Sequence, residues 1–202
     1  MGQAMNPLRL ALTAAGLMAL AGCGHSPPTQ FFTLDPLSPA TSASAKAGTP
    51  IRIDRVTIPA ILDRPEMVRE QSAERLQVDD FNHWGAPLGD LMRGALVEDL
   101  TARLPAGRVV PAGAPSVAGV ADLTVEIVAI HEAPGLVVAD MDWTLTQHTP
   151  GPPGQPQVVR TLRHERIQAP LDAPSQHGFA TALSRVMATL ADRIVEALPA
   201  AG

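Results

Sequence analysis

The chain has 202 residues, with 15 Lys and Arg against 20 Asp and Glu and a formal net charge of −5. That acidic balance argues against nucleic acid, whose phosphates demand clustered cations, and against docking on anionic head groups through a basic patch. Aromatics at 3% with no Tyr weaken any stacking platform for sugars or bases, and a single cysteine leaves no intrachain disulfide.

The first segment reads as a leader. Arg9 supplies its positive charge, Leu10 to Leu20 is a short uncharged apolar run, and Leu20-Ala21-Gly22-Cys23 follows. These four residues resemble a bacterial lipobox, in which the cysteine thiol is lipidated and signal peptidase then cuts before it. The run is shorter than the roughly 20 apolar residues that span a hydrocarbon core, so it predicts an export signal rather than a permanent helix. N-myristoylation at Gly2 fails because position 6 is Asn6, not Ser or Thr. Losing Arg9 with the leader leaves the mature chain with one positive charge fewer, and so more acidic than the formal −5 of the whole. A single acyl chain holds a protein only marginally, at about 0.8 kcal/mol per buried methylene, but a bacterial lipoprotein cysteine carries three. By resemblance to enterobacterial sorting rules, Gly24 in place of Asp favours the outer membrane. The expected organisation is a signal peptide at 1–22, a lipidated tether at 23–30 and a single periplasmic α+β domain at 31–202.

Phe31-Phe32-Thr33-Leu34 predicts a first strand, since aromatic and β-branched residues suit a pleated surface, and Pro36 to Pro50 a flexible loop. Ile51 to Ile58 alternates but slips phase at Asp54-Arg55, which predicts a bulge or a strand buried on both faces; Pro59 ends it. Ile61 to Pro65 is a turn, because Pro65 biases Arg64 away from helix. Two short strands, Met67 to Gln71 and Arg75 to Asp80, are joined by Ser72-Ala73-Glu74. With Pro87 near its start, a helix then places Leu88, Leu91, Met92, Ala95, Leu96, Leu100 and Leu104 on one face. Asp90, Arg93, Glu98, Thr101 and Arg103 mark its wetter side, and Pro105 and Gly107 stop it.

Ala121 to His131 is apolar enough to be a central strand, and Pro134-Gly135 turns the chain. Leu136 to Gln147 sets Val137, Ala139, Met141, Trp143 and Leu145 on one face against Asp140, Asp142, Thr144 and Thr146 on the other. Pro150 to Gly154 is a hairpin loop, and Gln157 to Ile167 returns. Pro174 and Ser175 open a second helix whose stripe is Phe179, Leu183, Val186, Met187, Leu190, Ile194 and Leu198, with Pro199 closing it. Hairpin-linked strands and one-sided helices predict an α+β fold: an antiparallel sheet with two amphipathic helices packed on one face.

The residues assign no catalytic group, no metal site and no cofactor. His131-Glu132 lacks the second His of a zinc-protease helix, and His164 and Glu165 are strand neighbours that point to opposite faces. His25, His83, His148 and His177 are scattered through loops. No Gly-x-Ser-x-Gly elbow exists, and Cys23 is consumed by lipid. Asp140 and Asp142 share a strand face about 7 Å apart, a spacing open to an inverting glycosidase but better explained by solvation. Trp143 reads as core. Trp84, just before Pro87, either staples its loop to the helix or forms a partner surface with that proline.

Three ordered segments behind the lipobox carry a family resemblance. Phe31-Phe32-Thr33-Leu34 resembles the Tyr-Tyr-Thr-Leu start of ABC-type transport auxiliary lipoproteins, the family of paraquat-inducible lipoprotein C. Pro59 with Leu62-Asp63-Arg64-Pro65 is similar to that family's Pro-x-x-Leu-Asp-Arg-Pro, and His83-Trp84-Gly85-Ala86-Pro87-Leu88 to its Arg-Trp-Ala-Glu-Pro-Leu. Phe for Tyr removes hydroxyls, while His83 and Ala86 remove an Arg and a Glu, so an ion pair at that spot does not carry over. The resemblance implies a non-enzymatic, outer-membrane-anchored subunit that docks an MCE-domain protein of an intermembrane lipid-transport system. The ring symmetry of MCE assemblies adds homo-oligomerisation as a further expectation. A periplasmic lipid carrier, holding an acyl chain in an apolar cavity between sheet and helices, is the alternative.

Overall fold

The computed structural model describes residues 27–37, 48–72, 74–111, 119–149 and 157–198. The leader at 1–22, Cys23 with its lipobox residues Leu20, Ala21 and Gly22, and the Pro150 to Gly154 loop lie outside the described residues. Eight strands and two helices follow one another among those described: β1 (Gln30–Phe32), β2 (Ile51–Thr57), β3 (Glu66–Ser72), β4 (Arg75–Trp84), α1 (Leu88–Arg103), β5 (Val109–Val110), β6 (Ala121–Ala133), β7 (Leu136–Thr149), β8 (Gln157–Pro170) and α2 (Gln176–Ala197). They form a five-stranded sheet in the order β5-β2-β6-β7-β8 and a three-stranded one in the order β1-β4-β3.

The class is α+β, as the pattern predicts, but the sheets are mixed rather than antiparallel throughout. β6, β7 and β8 are joined by antiparallel ladders, whereas β2 runs parallel to both β5 and β6, and β1 parallel to β4. Parallel neighbours need a long connection, and the chain between β2 and β6 supplies one that includes β3, β4 and α1. β6 is central, and β2 breaks register between Ile53 and Arg55, where the alternation slips phase. β4 runs on past Asp80 to Trp84 because β1 pairs with its last three residues.

Both helices cover the apolar face of the larger sheet, α1 over β2 and β5, α2 over β7 and β8, and they touch each other. Met92, Leu96 and Leu100 of α1 and Leu183, Val186, Met187 and Leu190 of α2 are fully buried with Leu123, Met141 and Ile167. Each such side chain contributes about 1.5–3 kcal/mol on leaving water. Ser175 caps α2, its Oγ accepting from Gly178 N at 3.1 Å. Gly178 itself is dictated by contact, since a Cβ there would lie 2.2 Å from the Ala173 carbonyl oxygen.

Arg103 corrects the reading of α1. Its spacing predicts the wet side, yet it is buried beneath α2 and a strap formed by residues 33–37. Along this strap Asp35 N donates to Ser184 Oγ at 3.1 Å and Leu37 N to Asp99 Oδ1 at 2.8 Å. Arg103 closes the clamp, donating to the Leu37 carbonyl at 3.1 Å, to Asp99 Oδ1 at 3.1 Å and to Asp192 Oδ1 at 2.6 Å. Burial pushes the Asp99 carboxyl above its ordinary range, against the hydrogen bond from Leu37 and the charge of Arg103.

A candidate docking corner

Segments far apart in sequence converge where β1, β2, β4 and α1 meet. Leu62 N donates to the Pro59 carbonyl at 2.9 Å, closing the turn that carries Leu62-Asp63-Arg64-Pro65. Trp84 N, at the end of β4, donates to the Pro65 carbonyl at 2.7 Å, and Gly85 N to the Phe32 carbonyl at 2.7 Å. The backbone therefore ties the Phe-Phe, Leu-Asp-Arg-Pro and Trp-Gly-Ala-Pro segments into one corner. Pro87 follows as the N-cap residue of α1, with φ −49 and ψ 129. Gly89 lets the first helical turn press against β2, because a Cβ there would sit 2.9 Å from the Val56 carbonyl oxygen.

The two candidate partner residues share this corner in different roles. Trp84 is only 4% exposed and packs inward on Phe179 of α2, ring centroids 6.5 Å apart. Pro87 is exposed at the rim. Together with Asp63, Arg64, Pro65 and Ala86 they line an open pocket of about 310 Å³. A second groove of about 260 Å³ lies alongside, lined by Val56, Thr57, Ile58, Asp63, Pro87, Gly89 and Asp90. Asp63 and Pro87 line both, so they form the ridge between them. Ile61, 53% exposed, belongs to the turn that bears the motif.

Arg64 is held in place by its neighbour. Its Nε donates to Glu66 Oε2 at 2.8 Å; the hydrogen bond raises the guanidinium above its ordinary range and lowers the Glu66 carboxyl below the usual one. The pocket thus offers an apolar wall, one carboxylate and one oriented cation. Reasoning from residue types alone finds Trp84 and Pro87 but not their partners Asp63, Arg64 and Pro65; the signal for those is the Leu-Asp-Arg-Pro motif itself.

Elsewhere the candidate groups have partners of their own. His131 Nδ1 meets Glu70 Oε2 at 3.3 Å, and Glu132 pairs with Arg69. His164 bonds Asp142 at 2.8 Å on the outer sheet face while Glu165, on the opposite face, pairs with Arg193 of α2. Asp140 is bridged by Arg166 at 3.2 Å. Among the described residues no three of His, Cys, Asp and Glu converge as metal ligands, and no helix is long and apolar enough to cross a membrane.

A family model described as ABC-type transport auxiliary lipoprotein component matches residues 32–195. Two solved structures share the fold. One, described as an uncharacterized protein, has a TM-score of 0.62 and 19% identity over 84% of this chain and 98% of its own. The other, a Xanthomonas campestris protein of family DUF330, has a TM-score of 0.61 and 13% identity over 83% of this chain and 93% of its own. No curated protein matches the chain.

Proposed function

The chain belongs to the ABC-type transport auxiliary lipoprotein components, and from that membership we propose that it is an outer-membrane-anchored periplasmic docking subunit of an MCE-type intermembrane lipid-transport system. The observation that supports this most is the corner itself. Three segments that resemble the family's motifs are sewn together by backbone hydrogen bonds around an open pocket with an exposed rim. Ile61 and Pro87 stand in solvent beside an Arg64 held by Glu66, an anchor and an oriented charge for a partner.

Function then follows from connection rather than chemistry. Cys23 would hold the domain to the leaflet, and the seven residues from 24 to 30 would let it reach about 25 Å at full extension. The corner would grip the MCE-domain protein so that lipid passes within the tunnel without crossing water. Docking is favoured over carriage by the filled space between sheet and helices, where the facing side chains are fully buried against one another.

A photoreactive residue placed at Ile61 or Pro87 of the full lipoprotein in cells tests this. Capture of an MCE-domain protein from those positions, and not from Glu196 on α2, is the expected result. Recovery of the lipoprotein alone from both positions, with Cys23 correctly acylated, would overturn it.

A further inference from the structure

The chain has only four phenylalanines, and two of them lie open on its smaller sheet: Phe31 is 69% exposed and Phe81 41%. Their placement follows from register. Phe31 is paired with His83 across the parallel β1–β4 ladder, their rings edge to face at 5.9 Å, and Phe81 stands exposed two residues before His83, in the stretch where β4 breaks register with β3. Leu76 and Val78, 46% and 37% exposed, share that outward face, because Gln77 and Asp79 stand opposite Arg69 and Met67 on the inward one. Asp79 takes the inward side explicitly, accepting from Gln176 of α2 at 2.6 Å. The result is an outward surface on which Phe31, Leu76 and Val78 stand exposed with Phe81 beside them, His83 and Glu66 on the same side and Val68, opposite Val78, only 4% exposed. Its neighbour Glu70 is committed to His131 and to the Glu132 backbone N–H.

We infer that this face rests on the lipid leaflet that holds Cys23, an inference that depends on the lipidation proposed above. Length decides the occupant. Eight residue steps separate Cys23 from Phe31, which is about 28 Å of fully extended chain. A domain of about 170 residues has a radius of gyration near 16 Å and so a diameter of about 40 Å. The tether is shorter than the domain is wide, so the end that carries β1 is the end held at the membrane. The face next to that end is apolar and aromatic, the composition that enters the boundary between head groups and acyl chains. The chain is acidic overall, so contact is made through apolar side chains rather than by attraction to anionic head groups. Seated this way, the domain has a set orientation on the leaflet instead of swinging freely on its anchor.

The test uses the full lipoprotein in vesicles of phosphatidylethanolamine and phosphatidylglycerol. Cys23 is the only cysteine, so once it is acylated Leu76→Cys, Phe81→Cys and a control Glu196→Cys each offer a single thiol for an environment-sensitive fluorophore. Labels at 76 and 81 should brighten roughly twofold or more on the vesicles, be quenched by brominated acyl chains, and keep that signal in high salt, while 196 stays in water. Labels at 76 and 81 that remain in water, on a chain that floats with the vesicles, would overturn the inference and leave the anchor intact. Labels that become dry but are not quenched by bromolipid would assign the face to a second copy of the chain and overturn it equally. An unmodified Cys23 by mass spectrometry would remove the tether argument and both readings with it.

Discussion

Replacing Arg103 with Met should be among the most damaging single changes in the helices. Its side chain is 5% exposed and that of Asp99 0%, so the substitution leaves a carboxylate with no cation and no water. Breaking a buried pair from one side costs about 3–5 kcal/mol, and the Leu37 carbonyl loses its donor as well. The Asp192 end of the clamp is 54% exposed and contributes little, about 1 kcal/mol or less, so Asp192→Asn should be nearly silent. For a domain of this size the predicted loss lowers Tm by about 10 °C. Denaturant unfolding of the lipoprotein, followed by circular dichroism at several pH values, measures it. The pH arm carries the sign. Burial raises the folded pKa of Asp99 above its unfolded value, so the folded state binds the proton more tightly and this site favours folding more as pH falls through the folded pKa. A protonated Asp99 needs no cation, so the cost of Arg103→Met should shrink on going from neutral to acid pH. A cost below about 1 kcal/mol, or one that does not change with pH, would refute the reasoning.

Gly178→Ala should destabilise by about 1–3 kcal/mol because its Cβ meets the Ala173 carbonyl, whereas Gly94→Ala, with nothing within 4 Å, should stabilise α1 by just under about 1 kcal/mol; paired thermal melts distinguish them. Cys23→Ala should leave the chain unacylated and its leader uncut, because the cut follows lipidation; mass spectrometry of the protein from whole cells should find the precursor mass and no acyl chain. Arg64→Gln should leave Tm unchanged while capture of the partner from Ile61 falls sharply, since the exposed Arg64–Glu66 pair orients a charge without supporting the core. Against a desolvation that pushes it up, hydrogen bonds from Asn82, Phe81 and Gln176 hold Asp79 below the usual carboxylate range. Its stabilisation is therefore present above the unfolded pKa and lost as pH falls through the lowered folded one. Asp79→Asn should flatten the acid limb of the stability profile.

Facing is legible in this sequence, and direction is not. The stripe from Phe179 to Leu198 and the alternation from Val137 to Leu145 predict which side is buried, because period 3.6 and period 2 each place apolar groups on a single side; Val138, buried on the other side, is the exception. The same alternation is written by a parallel or an antiparallel neighbour, so nothing in Ile51 to Thr57 reveals that β2 runs alongside β5 and β6. Arg103 shows a second limit. Helical spacing locates its side of α1, but not the strap and the second helix that later cover that side. At the corner, Trp84 and Pro87 stand out by residue type, while Asp63 and Arg64 read as an ordinary turn until Pro65 accepts a bond from Trp84.

The parallel pairing of β1 with β4 also fixes how the molecule bears load. A pull from the lipid proposed at Cys23 would enter through Gln30 and act along β1, so its bonds to the end of β4 would be sheared together instead of unzipped one after another. Behind β1, in series, stand the bonds of Asp35 to Ser184, Leu37 to Asp99 and Arg103 to Leu37. Drag on a docked partner would thus be spread over two helices and a sheet, and the folded body would take up tension as one piece before the chain could be drawn out.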